Sequence, residues 1–360
     1  MTTAIRTPHI RSAVTSLPPY VAGRRATSNA TASLASNENH FPPLPSVLDE
    51  IAWASGRINR YPDSAAEALR ERIAAHVGVR SDEVAAGPGS VGVLQQIIAS
   101  VCDAGDEVVF AWRSFEAYPL LVTLSGAKPV PVPLTRHETH DLDAMAAAIT
   151  PRTRLVLLCT PNNPTGVTIA GADLDRLLAR VPGDVLVAID EAYLEYVTTD
   201  PLDALARYRR YPNVCLLRTF SKAYGLAGLR VGYAIASPTV AGALRRTGLP
   251  FAVSSLAQAA AIASLDASRE LAERVAAVAT ERDRVTCAMR RLGLAVPGSQ
   301  ANFVWLRTGE GEREAVLRAF DAADILVRGY AGDGVRITIA DAASNDRVLQ
   351  ALAELQRAAA

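Results

Sequence analysis

Apolar residues in the middle of this chain gather into short blocks with little polar interruption. Glu107–Trp112, Pro129–Leu134, Arg154–Cys159, Val185–Asp190, Val214–Thr219 and Val231–Ala236 each have strand length. Several are almost wholly apolar, as strands covered on both faces must be. Helical spacing precedes and separates them, over Ala65–Val77, Val91–Val101 and Ala172–Arg180. That alternation predicts an α/β fold whose large domain holds a mostly parallel sheet. The pattern changes after Pro250. Ser255–Leu292 is alanine-rich and long enough for one or two helices. Strand-like runs at Asn302–Leu306, Ile325–Arg328 and Val335–Ile339 follow, then a helix near Asn345–Arg357. The expected organisation is a large domain over 46–250 and a smaller α+β domain over 251–360. Residues 1–45, with Leu17-Pro-Pro-Tyr20 and Phe41-Pro-Pro-Leu-Pro45, read as an extended arm packing with the small domain.

Composition narrows the function classes. The 37 basic and 37 acidic residues cancel, which removes any general attraction to nucleic acid or to an anionic membrane. No run approaches the roughly 20 apolar residues that span a bilayer. Met1–Arg25 has arginines but no apolar signal-peptide core, so a cytoplasmic protein is expected. Cys102, Cys159, Cys215 and Cys287 lie far apart, and three sit in or beside apolar runs, so they read as reduced core thiols. His137 and His140 fall in a polar turn whose spacing differs from HExxH, and a solvated loop is expected there rather than a metal site.

The basic residues carry the sharpest signal. Of the 37, two are lysines, Lys128 and Lys222, and the rest are arginines. Arginine stays protonated, whereas a lysine amine can lose its proton and condense with an aldehyde. Lys128 follows Ser125-Gly-Ala in an apparent loop and reads as a surface cation. Lys222 lies in Arg218-Thr-Phe-Ser-Lys-Ala-Tyr-Gly-Leu-Ala-Gly-Leu-Arg230, directly after a predicted strand. Two further motifs end predicted strands upstream: Cys159-Thr-Pro-Asn-Asn-Pro-Thr-Gly166 and Ala188-Ile-Asp-Glu-Ala-Tyr193. Open α/β sheets place their ligands at such strand ends. Each motif alone has a plain reading, a turn for the first and a cap or magnesium ligand for Asp190. Their order, with 27 residues from Asn163 to Asp190 and 32 from Asp190 to Lys222, is what marks a site.

On these residues the chain resembles the fold-type I pyridoxal-phosphate aminotransferases of class II, in the histidinol-phosphate aminotransferase branch. The resemblance extends to Ser36-Asn-Glu-Asn39, Tyr61-Pro-Asp63, Ser299-Gln-Ala-Asn-Phe303 and Val335-Arg-Ile-Thr338. It implies pyridoxal 5'-phosphate as cofactor, with Lys222 the catalytic lysine that condenses with its aldehyde and then moves the α-proton. It further implies Asp190 at the pyridine nitrogen, Asn163 and Tyr193 at the phenolic oxygen, and Phe115 stacked on the ring. Ser90, Val91, Thr219, Ser221 and Arg230 would hold the phosphate. Tyr61 would reach it from the neighbouring subunit of a homodimer. Arg336 would clamp the substrate carboxylate, a task suited to its two-pronged guanidinium, with Asn39 and Asn163 also at the substrate.

The cofactor site does not choose the amino acid. Histidinol phosphate carries an alcohol in place of a carboxylate and a phosphate at its far end. Where many enzymes of that branch have an acidic pair in the phosphate loop, this chain has Ser90-Val91, and its ring-stacking segment reads Trp112-Arg-Ser-Phe-Glu-Ala-Tyr118. These features are similar to the aromatic (phenylalanine) aminotransferases. The expected substrates are an aromatic amino acid and a 2-oxo acid, 2-oxoglutarate, with histidinol phosphate as the alternative donor. A lyase acting on a phosphothreonine-like substrate is a further possibility within the same chemistry. A regulator's binding module would need a DNA-binding domain for which the chain has no spare length.

Overall fold

A computed structural model describes residues 8–15, 17 and 30–359. The rest of the expected arm, including Pro18–Tyr20 and more than half of Met1–Arg25, lies outside the described residues. Among the described residues there are twelve strands: β1 Ala32–Ser33, β2 Val84–Gly87, β3 Glu107–Trp112, β4 Lys128–Pro133, β5 Thr153–Cys159, β6 Leu186–Asp190, β7 Val214–Thr219, β8 Gly232–Ile235, β9 Phe303–Arg307, β10 Ile325–Leu326, β11 Arg328–Tyr330 and β12 Gly334–Thr338. Seven make one sheet in the order β2-β8-β7-β6-β5-β3-β4. All neighbours in it are parallel except β8, which runs against both β2 and β7.

The near-continuous apolar runs are explained by two covered faces. Val109, Val156, Leu158, Val187, Ile189 and Leu216 point to one side and pack with helices Glu67–Val77, Gly171–Leu178 and Ser255–Asp266. Their chain neighbours Val108, Leu155, Leu157, Ala188 and Leu217 point to the other and pack with Gly89–Val101, Ala117–Ser125 and Pro238–Thr247. Alternation with period two is what puts adjacent residues on opposite faces.

A second core lies beyond this sheet. The antiparallel sheet β11-β12-β9 packs with the helices Ser268–Arg291, Glu310–Ala322 and Ala342–Ala359 around Phe303, Phe320, Ile337 and Leu352. The long helix buries Leu271, Val278, Val285 and Met289, one face at helical spacing. The 255–292 segment is two helices, and the first belongs to the large core: Ala257, Ala260, Ala261 and Leu265 pack there. Its small residues allow close approach to the helix Pro45–Ser55. The described part of the arm pairs β1 with β10 in parallel and continues past β12, where Thr338 N donates to Leu34 O at 3.0 Å.

Three further expectations are corrected. Lys128 opens β4 rather than sitting in a loop, and its amine reaches Glu107 at 3.3 Å while staying largely exposed. His140 is buried, not solvated; its Nε2 accepts from Cys159 N at 3.4 Å, and burial pulls its pKa down to about 4. The strand expected over 325–328 is broken into β10 and β11, which join different sheets. Among the described residues no helix is long and apolar enough to cross a membrane.

Candidate active site

The carboxyl ends of β5, β6 and β7 lie side by side, with Cys159 opposite Asp190 and Asp190 opposite Leu217. Each strand delivers one motif to the same edge. The edge opens into a cavity of about 270 Å³ between the large sheet and the small one. Ser90, Val91, Phe115, Asn163, Asp190, Tyr193, Thr219, Ser221, Lys222, Arg230 and Arg336 all line it. Residues 35–38 of the arm close one side.

The Lys222 amine opens onto this cavity and donates to Ser36 O at 3.1 Å. Protein surrounds it closely enough to lower its pKa to about 7. Burial is the main cause and Arg336 adds repulsion; Glu38 pulls the other way, Arg230 adds more repulsion and Asp190 again opposes. An amine near neutrality is a usable nucleophile and base.

Asp190 ends β6, buried. Its Oδ2 accepts from the hydroxyl of the fully buried Tyr118 at 2.8 Å, and its Oδ1 accepts from Ala192 N at 3.2 Å. Burial pushes its carboxyl up to about 6, against the pull of those two donors. Burial holds the Tyr118 phenol well above its ordinary value, so Tyr118 is the donor in this pair. No arginine or lysine forms an ion pair with Asp190 among the described residues. A buried carboxylate so arranged is suited to receive a cationic ring nitrogen.

Tyr193 accepts from Asn37 Nδ2 at 2.9 Å and stands edge-on to Phe303 with centroids 5.1 Å apart. Asn37 is itself fixed, because Asn302 Nδ2 donates to its carbonyl at 3.1 Å and Thr338 Oγ1 donates to its Oδ1 at 3.1 Å. Arg336 is buried on β12. It donates from Nη1 to Asn163 Oδ1 at 2.6 Å and from Nη2 to Ala35 O at 2.5 Å, and its Nε has no partner among the described residues. A buried guanidinium held by neutral oxygens, with a donor to spare, is an anion site.

The opposite end of the cavity is shaped for a phosphate. The helix Gly89–Val101 begins there, presenting unpaired amides. Gly89 has φ +77°, and a Cβ on it would lie 2.4 Å from Arg230 Nη2; one on Gly232 would lie 2.6 Å from Ser90 N. Arg230 donates to Ser221 Oγ at 3.3 Å, and Thr219 Oγ1 donates to the same oxygen at 3.1 Å. Hydroxyls, amides and a cation thus converge on one space. Together with the Lys222 amine, Asp190 and the Phe115 ring, these groups fit pyridoxal phosphate end to end.

Two expected residues lie elsewhere. Asn39 donates to Ala223 O at 2.9 Å and faces a neighbouring cavity beside His40 and Asp341, so Asn37 and not Asn39 meets the site. Tyr61 is 83% exposed, stacked on Phe251 at 4.6 Å, and does not line its own chain's cavity. Sequence reading also passed over Tyr118, Asn37, Glu116 and Arg328. Tyr118 and Glu116 stand within a few residues of Phe115, and a search outward from that position would have met them.

Comparison with known proteins agrees with this geometry. The family model for aminotransferase class I and II matches residues 31–353. The aromatic amino acid aminotransferase of Streptomyces coelicolor is 51% identical over 97% of this chain and 98% of its own length. The protein of the same name from Thermobifida fusca is 53% identical over 95% and 96%. The crystal structure of histidinol-phosphate aminotransferase from Sinorhizobium meliloti, in complex with pyridoxal-5'-phosphate, superposes with a TM-score of 0.90 at 31% identity, covering 99% of this chain and 100% of that one. A cavity with a near-neutral lysine and a family match along nearly the whole chain lead to one assignment: this protein belongs to the class I and II aminotransferases.

Proposed function

We propose that the protein transfers the amino group of phenylalanine or tyrosine to 2-oxoglutarate, using pyridoxal 5'-phosphate held in this cavity. The observation that carries the reaction type is the meeting of the Lys222 amine, the buried Asp190 and the open Arg336 guanidinium around one space. The aromatic donor is supported by relatives of that name at about half identity over nearly the full chain.

The cofactor, when bound, supplies an aldehyde that takes up the amine and a ring that draws electrons from the α-carbon. The rest belongs to the protein. Lys222, near neutrality, gives its amine to hold the cofactor. With substrate bound, its Nζ would take the α-proton and return it. Asp190 keeps the ring nitrogen cationic, and Tyr118 and Ala192 fix that carboxylate's direction. Asn163 and Tyr193 hold the phenolic oxygen. Ser90, Val91, Thr219, Ser221 and Arg230 anchor the phosphate. Arg336 grips the α-carboxylate in both half-reactions, oriented by Asn163.

We read the working form as a homodimer. Tyr61, Trp53, Ile58 and Leu249 are exposed large apolar residues, and Phe251 stacks on the first. An apolar surface of this kind marks an interaction site, and Tyr61 would then complete the phosphate site of the other subunit. Within each chain we divide the structure into the arm, a large unit reaching to about Ala267 and a small unit beyond it, following the two cores.

The decisive experiment is kcat/KM for phenylalanine, tyrosine and histidinol phosphate side by side. The two amino acids are expected to be preferred, because Arg336 needs a carboxylate that histidinol phosphate lacks. A clear preference for histidinol phosphate would overturn the reading.

A further inference from the structure

Three successive residues of the arm reach the catalytic groups. Ala35 O accepts from Arg336, Ser36 O accepts from Lys222, and the Asn37 side chain meets Tyr193. Asn37 has φ +53°, a left-handed conformation that asparagine tolerates better than most residues. The bonds around it have a fixed direction. A backbone N–H can only donate, so the bond from Asn37 N to Thr338 Oγ1 at 3.0 Å uses that hydroxyl as an acceptor. The hydroxyl's own proton then goes to Asn37 Oδ1 at 3.1 Å. With Oδ1 taken by a donor, the other end of the amide, Nδ2, faces the Tyr193 hydroxyl at 2.9 Å. Tyr193 therefore accepts from Asn37, and its single proton is left for another partner. All three side chains are buried, where polar groups are matched donor to acceptor. Burial holds the Tyr193 phenol well above its ordinary pKa, against the pull of Arg336 and Asn37, so it keeps that proton.

We propose that Asn37 is a positioning residue that sets the direction of this chain: by occupying the accepting side of the Tyr193 hydroxyl, it turns the tyrosine's proton toward the cofactor's phenolic oxygen. The proposal rests on the reading above, in which Tyr193 holds that oxygen. Tyr193 lines the cavity, so its proton has that space to point into. A donor there draws negative charge from the phenolic oxygen and weakens its hold on the neighbouring proton of the lysine-bound cofactor. Bonds that all run one way also strengthen one another. The order is Thr338, Asn37, Tyr193, so a hydroxyl on β12 of the small sheet acts on the cofactor without touching it.

The test is a spectroscopic titration of the holoenzyme without substrate. The absorbance of lysine-bound cofactor changes with its protonation, and the midpoint pH is read. Asn37→Gly removes the side chain at a position whose backbone suits glycine. It is expected to raise the midpoint by about half a pH unit, the scale of one weakened hydrogen bond. Tyr193→Phe is expected to raise it by about one pH unit, since the donor itself is gone. Adding Asn37→Gly to Tyr193→Phe should then move it by less than about 0.2, because the group it acts through is missing. An equal change with and without Tyr193, or no change in Asn37→Gly alone, overturns the proposal. Should Asn37→Gly not fold, Thr338→Val and Thr338→Ser decide. Valine is expected to raise the midpoint, and serine, which keeps the hydroxyl, to leave it in place. A midpoint unmoved by valine, or moved equally by both, overturns the proposal. A parent enzyme without the absorbance of lysine-bound cofactor would sink the cofactor reading instead, and failure to turn over phenylalanine would sink the aromatic reading; each is read apart from the midpoint.

Discussion

Glu107 begins β3 at one edge of the parallel sheet, and Asp190 ends β6 at the other. Both carboxylates are buried. Glu107 accepts from Thr150 Oγ1 at 2.6 Å, from Arg152 Nη2 at 2.9 Å and from Lys128 Nζ at 3.3 Å. Those bonds, the hydroxyl's first, hold its carboxyl down at about 2. Asp190 receives one hydroxyl and one amide, and burial pushes it up to about 6. The two lysines divide the same way. Lys128 is largely exposed and paired, whereas Lys222 is enclosed and pulled down to about 7. The amino end of the sheet satisfies its charges internally and so contributes stability. The carboxyl end leaves an acid and an amine poised for a group from outside, which costs stability and provides chemistry.

This contrast can be broken from either side. The largest effect is expected from Lys222→Ala, which should lose at least about 10³-fold in turnover and the visible absorbance of lysine-bound cofactor. Circular dichroism should remain that of the parent; a variant turning over normally would end the assignment. Asp190→Ala should lower kcat/KM about 10²-fold or more by removing the ring nitrogen's partner, measured with saturating cofactor. Tyr118→Phe leaves Asp190 one donor short. The cofactor dissociation constant should rise about fivefold, the worth of one hydrogen bond near 1 kcal/mol, and an unchanged constant would show the hydroxyl to be dispensable.

Glu107→Gln gives the smallest change, about 1 kcal/mol of stability, with turnover preserved. Its pH signature is more telling. The folded pKa lies below the usual 4.5, so the contribution is complete above about 4.5 and fades as pH falls toward 2. The melting-temperature gap between parent and variant should therefore close on acidification across that window. A gap constant with pH would mean that Glu107's charge does not matter.

The cofactor end was legible in the sequence because each strand-end loop holds its residues within a few positions of one another. Asn163, Asp190, Tyr193 and Lys222 needed only parallel strands to bring them together. The substrate end is built from distant pieces. Asn37 meets Tyr193 across 156 residues, Arg328 meets Glu116 across 212, and Arg336 meets Asn163 across 173. No local pattern marks such pairs, which arise only when the small sheet packs over the large one. The arm's path likewise decides which asparagine turns inward: Asn37 meets Tyr193, while Asn39 donates to Ala223 O. The helix Ser255–Asp266 packs in the large core, and its alanine spacing alone does not reveal what that small face meets.

Having two lysines in the whole chain makes the central claim directly measurable. Borohydride reduction of the holoenzyme fixes the cofactor to whichever amine holds it, and peptide mass spectrometry locates the added mass. The account requires it on Lys222 and nowhere else. Added mass on Lys128, or on neither lysine with cofactor demonstrably bound, would contradict it.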